Sequence, residues 1–347
     1  MDAAETLKRV KDYYGRRLNG KQDLKTSACC SIDAIPEYQK KALALIDEEI
    51  LTRFYGCGSP IPPLLQGKVV LDLGCGTGRD VFLAAYFAGP DGYVIGVDMT
   101  EEQLEVGRRH IDDQMARFGF ERTNVSFRHG YIEDLRTADI ADASVDVVIS
   151  NCVINLSPDK EAVFSEIFRV LKPGGELYFS DVFAGRRIPE SLKEDPVLYG
   201  ECLAGALYIE DFRRLLRNIG IQDYRVVSKC PISIDDPEIA ERVGPIDFYS
   251  MTIRAFHLRD LEDLCEDYGQ VAIYRGTIPE FPHAFDLDDH HHFEKGRAVP
   301  VCGNTASMLQ NTRYAAHFTV IGDRSVHYGP FDCSGTNAGE NGSGSCC

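Results

Sequence analysis

The sequence predicts an α/β protein built on a doubly wound parallel sheet, with a helical cap before it and a small α+β unit after it. Three observations carry that expectation. From Lys68 onward, short apolar runs alternate with segments whose apolar residues recur every three or four positions, the pattern of parallel strands joined by crossover helices. The first run, Val69 to Leu73, passes directly into the glycine-rich stretch Gly74-Cys75-Gly76-Thr77-Gly78. The second ends on a carboxylate, Asp98.

Taken in order, the chain opens on two helix-like stretches, around Ala4 to Leu18 and Pro36 to Tyr55, with a polar turn and Cys29-Cys30 between them. Residues 1–66 are read as a helical cap. Residues 67–182 are read as the doubly wound domain. Its strands are expected at Val69 to Leu73, Tyr93 to Val97, Val125 to Arg128, Val145 to Ser150 and Glu176 to Ser180, where β-branched residues concentrate. Its helices are expected at Arg79 to Ala88, Glu101 to Phe118 and Lys160 to Leu171. After Asp181 the regular alternation stops. A helix at Ile209 to Ile219 and a strand at Tyr224 to Lys229 leave residues 183–254 as a region that caps the substrate. Residues 255–333, strand-like at Val271 to Arg275 and His317 to Ile321, suggest a small α+β domain. Residues 334–347 are mainly Gly, Ser and Asn and end in Cys346-Cys347, a composition that cannot bury enough apolar surface to order alone.

Composition excludes several functions. Asp and Glu number 54 against 37 Lys and Arg, a net charge of -17, which repels nucleic-acid phosphates. Met1 to Lys25 has no apolar leader core, and no stretch approaches the roughly 18 apolar residues of a membrane span. A cytoplasmic monomer is expected. Twelve cysteines then point to thiol chemistry rather than a disulfide framework. No CxxC spacing occurs, which argues against a zinc ribbon or a thioredoxin-type motif.

The glycine turn has a physical use. Glycine permits positive φ and carries no Cβ, so backbone amides approach a ligand closely where a parallel strand ends. A carboxylate at the end of the next strand, Asp98, can accept hydrogen bonds from both hydroxyls of a ribose. The spacing Gly-x-Gly-x-Gly is similar to that of class I S-adenosylmethionine methyltransferases, whereas dinucleotide enzymes place the third glycine one residue later. Gly130-Tyr131-Ile132-Glu133-Asp134 after the third strand and Leu171-Lys172-Pro173-Gly174-Gly175 before the fifth agree with that resemblance. It implies that Asp72 and Gly74 meet the methionine end of S-adenosylmethionine, Asp98 the ribose, and Ile132 and Glu133 the adenine. Gly76, Gly78, Met99 and Asn151 complete the implied cofactor contacts. Cys75 within the turn reads as a small filler.

The fourth strand runs into Ser150-Asn151-Cys152-Val153-Ile154-Asn155-Leu156, which places Cys152 at the edge of the sheet where a methyl donor would lie. A second thiol stands in Gly200-Glu201-Cys202-Leu203-Ala204-Gly205-Ala206-Leu207, whose small residues permit close approach. Together with Tyr55-Gly56-Cys57-Gly58 and Asp98-Met99-Thr100, these motifs resemble those of arsenite methyltransferases from Leu24 to about Val227. The resemblance implies that Cys152 and Cys202 bind arsenic, and that Cys29 and Cys57 exchange thiol and disulfide during turnover. Cys30 remains an alternative to Cys29.

The chemistry fits the residue types. Trivalent arsenic is soft and prefers thiolate ligands, and three of them leave its lone pair free to attack a methyl group. Two protein sulfurs and a third thiol, from Cys57 or a small molecule, would aim that lone pair. Nothing loses a proton at transfer, consistent with no obvious pairing of His and carboxylate near Cys152. A disulfide between Cys29 and Cys57 would return two electrons to the oxidised product, and glutathione or thioredoxin would reduce it. Arsenite and methylarsenite, as thiol adducts, are the implied substrates. Cys346-Cys347 is a candidate for arsenic capture. Asp288 to His292 reads as a solvated polar loop, with a divalent metal site as the alternative. Two other functions stay open: a methyltransferase acting on carbon, nitrogen or oxygen of a small molecule, and an arsenic-binding protein without catalysis.

Overall fold

The structure, a computed structural model, describes residues 35–54, 56–193, 195, 198–199 and 202–333. The helix expected at Ala4 to Leu18, the pairs Cys29-Cys30 and Cys346-Cys347, and the tail at 334–347 lie outside the described residues. The helix expected from Pro36 to Tyr55 is two short ones, α1 (Glu37–Leu43) and α2 (Glu48–Thr52). Asp47 breaks it, because its carboxylate accepts from the Glu49 amide and starts α2 afresh.

The central sheet follows the expected strands with small extensions: β1 (Val69–Leu73), β2 (Tyr93–Asp98), β3 (Val125–His129), β4 (Val145–Asn151) and β5 (Leu171–Ala184). Between them run α3 (Arg79–Ala88), α4 (Glu101–Arg109), α5 (Ile111–Phe118) and α6 (Lys160–Val170). The helix expected over Glu101 to Phe118 is two, divided at His110, which caps the end of α4 and the start of α5. The order is β3-β2-β1-β4-β5, all parallel. Chain order reverses beside β1, and at such a switch point the loops after the strands part to leave a crevice. β5 is the long strand, and its last residues carry Asp181 past the point where Ser180 was expected to end it.

Residues 183–254 do not stand apart as a cap. After α7 (Glu190–Lys193), β6 (Leu207–Tyr208) and α8 (Ile209–Asn218), the chain forms β7 (Arg225–Pro231), α9 (Pro237–Val243) and β8 (Phe248–Phe256). β8 pairs antiparallel with both β5 and β7, so the sheet continues as β5-β8-β7. Of residues 183–254, described residues between β5 and β6 and the segment around α9 pack beside the strand ends. There Leu156, Val182, Leu198, Leu203, Ile239 and Phe248 form an apolar cluster that encloses Cys57, Cys152 and Cys202.

The C-terminal domain holds β9 (Gln270–Tyr274) between β10 (Ala298–Val301) and β11 (Phe318–Ile321), with Gly303–Gln310 helical against them. Buried charges join it to the sheet. Arg254 on β8 donates to Glu176 of β5 at 2.7 Å and to the Tyr314 hydroxyl at 2.7 Å. The expected solvated loop is also buried in part: Asp288 and His291 are 5% and 2% exposed and bond each other at 2.7 Å. Arg225, held by Asp223, faces Asp288 at 3.6 Å. Among the described residues no helix is long and apolar enough to cross a membrane.

Candidate active site

The crevice above β1 and β4 is a cleft of about 980 Å³, open to solvent at its mouth. Asp72, Gly74, Gly76, Asp98, Met99, Ile132, Glu133, Asn151 and Cys152 all line it. Register explains the convergence: Leu73 pairs with Val97 on one side and Ser150 on the other, so the residues that follow each strand meet at one level. Gly74 has φ +68°, and a Cβ there would stand 2.3 Å from Val153. Gly76, also at positive φ, has open space where its Cβ would be. Gly78 does not line the cleft. It caps α3 with φ +95° and packs on Phe127, which a Cβ would meet at 2.5 Å. Cys75 is a buried filler whose thiol burial pushes up, with Asp98 and Asp72 adding to the shift.

Asp98 accepts hydrogen bonds from the Gly76 amide at 2.9 Å and the Thr100 amide at 2.8 Å, one on each oxygen. Each oxygen keeps a second lone pair for a hydroxyl donor. Burial raises the Asp98 carboxyl in spite of those amides. It raises Asp72 further, with Asp80 adding repulsion. A ligand presenting hydroxyl and ammonium donors relieves both costs. Glu133 accepts from Ser157 across the mouth. These groups fit S-adenosylmethionine: donors find carboxylates, and the glycine turn admits its carboxylate end.

The structure spends Asn151 differently from expectation. Its side chain accepts from the Cys57 amide at 3.0 Å and donates to the Gly58 carbonyl and to Asp80, each at 2.9 Å. Arg79 reinforces the clamp, bonding the Gly58 carbonyl at 3.0 Å and Asp80 at 2.8 Å while lying over the Phe54 ring. The Cys57 segment is thereby fastened across the end of β4. Sequence reasoning missed Arg79, Asp80 and Phe54. Position two after Gly78, at the start of a buried helix, was the available signal for Asp80.

Cys57 and Cys152 are joined in a disulfide with Cα atoms 6.0 Å apart. The pairing expected for Cys57 was with Cys29, which lies outside the described residues. Cys202 is buried, and its Sγ donates to the Cys152 carbonyl at 3.3 Å. Cys152 alone of the three lines the cleft, so it connects the cofactor space to the thiols. Both Cys152 and Cys202 hold positive φ, 56° and 60°, a strained conformation for a residue with a side chain and one that gathers at functional sites. Cys230, Cys302 and Cys333 do not line the cleft.

A carboxylate that the sequence reading did not single out accompanies the sulfurs. An oxygen of Asp181 lies within 4.8 Å of both Cys57 and Cys152 Sγ. It accepts from the Asn155 amide at 3.1 Å, the Asn155 side chain at 2.7 Å and the Val182 amide at 2.8 Å. Burial pushes it up to about 7 against those donors and nearby Lys160. Burial likewise brings Lys160 down to about 8, against the attraction of Asp181. Its ammonium bonds the carbonyls of Asn155 and Ser157 at 3.1 and 2.9 Å.

Sheet order, glycine turn, strand-end carboxylate and cleft together define the class: this is an S-adenosylmethionine-dependent methyltransferase of class I fold. Residues 64–220 match a family model for a methyltransferase domain, and residues 268–341 match one for the arsenite methyltransferase C-terminal domain. The chain is 56% identical to an arsenite methyltransferase of Aquipseudomonas alcaligenes over 94% of each chain. It is 40% identical to the human arsenite methyltransferase, over 92% of this chain and 86% of that one. The crystal structure of an arsenic(III) S-adenosylmethionine methyltransferase from Chlamydomonas reinhardtii superposes with a TM-score of 0.84 at 52% identity, covering 86% of this chain and all of that one. The chain belongs to the arsenite methyltransferase family.

Proposed function

We propose that this enzyme transfers methyl groups from S-adenosylmethionine to trivalent arsenic held by Cys152, Cys202 and Cys57, and so serves arsenic detoxification. One observation carries the reading: Cys152 is at once a wall of the cofactor cleft and the neighbour of both other thiols. When bound, S-adenosylmethionine supplies an electrophilic methyl group on a sulfonium. Asp98 holds the ribose, Asp72 and the amides after β1 hold the methionine end, and Ile132 and Glu133 receive the adenine. The apolar cluster around the thiols excludes water from the soft centre. Three thiolates leave arsenic one lone pair, and no base is needed for it to attack.

Methylation raises arsenic formally to the pentavalent state. Two thiols that close a disulfide return the two electrons, and the contact of Cys57 with Cys152 supports Cys57 as a thiol within reach of the arsenic ligands. With that bond closed, two of the three sulfurs are unavailable to arsenic. An external thiol reductant, glutathione or thioredoxin, must open it before the next cycle. Cys29 is a further relay candidate. Arsenite and methylarsenite enter as thiol adducts, and the enzyme works as a cytoplasmic monomer.

The test is arsenic speciation after incubating the protein with arsenite, S-adenosylmethionine and excess thiol, beside Cys152→Ser and Cys202→Ser. Methylated arsenic from the wild type alone is expected. Cofactor binding without methylated product would move the reading to a small-molecule methyltransferase.

A further inference from the structure

Asp181 is costly where it stands. It is 1% exposed, and an ionised carboxylate removed from water is unfavourable unless it is paired and hydrogen-bonded. The structure goes to some length to keep it. The amides of Asn155 and Val182 and the Asn155 side chain all point at its oxygens. Lys160 approaches from the far side of Asn155, whose carbonyl it binds. No cofactor contact explains this arrangement, because Asp181 does not line the cofactor cleft. It faces the sulfurs instead, within 4.8 Å of both Cys57 and Cys152.

Charge gives the carboxylate a use, provided that arsenic is held on these thiols as proposed for the enzyme's function. Before transfer, arsenic bound to three thiolates is neutral and the cofactor sulfonium is positive. The arsenic lone pair forms the new As–C bond. The C–S bond breaks, and its electron pair returns to the cofactor sulfur. No proton moves and no outside electron enters. The balance is a relocation of one positive charge, from sulfonium to a methylated arsonium centre on Cys152, Cys202 and their third thiol partner.

We infer that Asp181, in its ionised form, is the anion that stabilises the positive charge developing on arsenic during methyl transfer. Its oxygen lies beside the sulfurs that carry the arsenic, in a site sheltered from water by Leu156, Val182, Leu198 and Leu203. A fixed charge in such surroundings acts on the transition state without reorganising solvent. The same charge contributes little to binding neutral arsenic, because the charge it opposes is not yet there. Differential stabilisation of that kind raises the rate of transfer and leaves affinity alone.

The experiment uses the reduced full chain and compares wild type, Asp181→Asn and Asn155→Ala. Arsenite affinity is measured by equilibrium dialysis, S-adenosylmethionine affinity by calorimetry, and transfer by single-turnover quench with arsenic speciation. For Asp181→Asn, both affinities should stay within about threefold, while the single-turnover rate falls about 10²-fold, the usual cost of losing one preorganised electrostatic group. Asn155→Ala removes one hydrogen bond from the same carboxyl and leaves the group in place, so with all three proteins compared at a pH well above neutral it should retain at least about a tenth of the wild-type rate. An undiminished rate in Asp181→Asn overturns the inference. So does a loss of arsenite affinity matching the loss of rate, since Asp181 would then merely position the thiols. Equal losses of rate in the two variants overturn it as well. Should Asp181→Asn not fold, Asp181→Ser replaces it. Should neither fold, the carboxylate is a requirement of the fold and the inference fails. A wild type that binds arsenite but never methylates it would instead sink the proposed function, a result separable from all of these.

Discussion

Gly205→Ala tests how finely Cys152 and Cys202, the thiols proposed to hold arsenic, are spaced. A Cβ on Gly205 would stand 2.1 Å from the Asn155 carbonyl oxygen, a backbone atom, where an ordinary contact needs 3.4 Å or more. Asn155 cannot yield, because Asp181 holds its amide and side chain and Lys160 holds its carbonyl. The segment carrying Cys202 must therefore retreat by about 1 Å, a displacement that costs about 10²-fold in a reaction dependent on geometry. The hydrogen bond from Cys202 Sγ to the Cys152 carbonyl, 3.3 Å long, would break with it. Overpacking of this kind costs about 1–3 kcal/mol of stability, so a thermal melt must first show a folded protein. Arsenic speciation should then show kcat/KM for arsenite lowered about 10²-fold, with S-adenosylmethionine affinity unchanged because the glycine turn lies elsewhere. A folded Gly205→Ala protein with wild-type kcat/KM for arsenite would refute the claim that this contact sets the thiol spacing.

What the sequence revealed and what it concealed divide along the distance between partners. The glycine turn and Asp98 were legible because strand, turn and next strand are neighbours in the chain, and their chemistry follows from backbone geometry. Asn151 was legible as a site residue but not in its task, since the groups it clamps, Cys57 and Gly58, lie 94 and 93 residues away. Asp181 directly follows the run Glu176 to Ser180 expected for the fifth strand, much as Asp98 follows Tyr93 to Val97, and the same rule applied there would have found it, although β5 continues past it to Ala184. Its importance arises only when Asn155 and Cys57 converge on it. The capping region was misread because β8 returns antiparallel between β5 and β7, which ends the strand-and-helix rhythm without ending the sheet. Similarly, Asp288 to His292 looked solvated because Arg225, which faces Asp288, belongs to a distant strand.

Three further outcomes are expected. Asp98→Ala removes the carboxylate proposed to accept from the ribose, whose charged hydrogen bonds would be worth about 1.5–3 kcal/mol each, so calorimetry should show S-adenosylmethionine affinity down by about 10²-fold or more. Asn151→Ala releases the Cys57 amide and leaves the Gly58 carbonyl to Arg79 alone, so alkylation and mass spectrometry should show closure of the disulfide between Cys57 and Cys152 slowed about tenfold or more. Asp288→Asn should destabilise the chain by about 1–3 kcal/mol at neutral pH, because it removes the carboxylate that bonds buried His291 and one of the two that face buried Arg225, which keeps Asp223. Its pH dependence follows from the sign of the shift. Burial disfavours the Asp288 carboxylate, but the His291 hydrogen bond and the charges of His291 and Arg225 outweigh burial and hold it below the usual carboxylate range. A depressed folded pKa gives stability that is fully present above the unfolded value of about 3.9 and is lost as pH falls toward the folded one. Urea midpoints measured between neutral pH and pH 3 should therefore fall more steeply for wild type than for Asp288→Asn at the acid end. Parallel curves would mean that the carboxylate contributes its shape to the joint between sheet and C-terminal domain and not its charge.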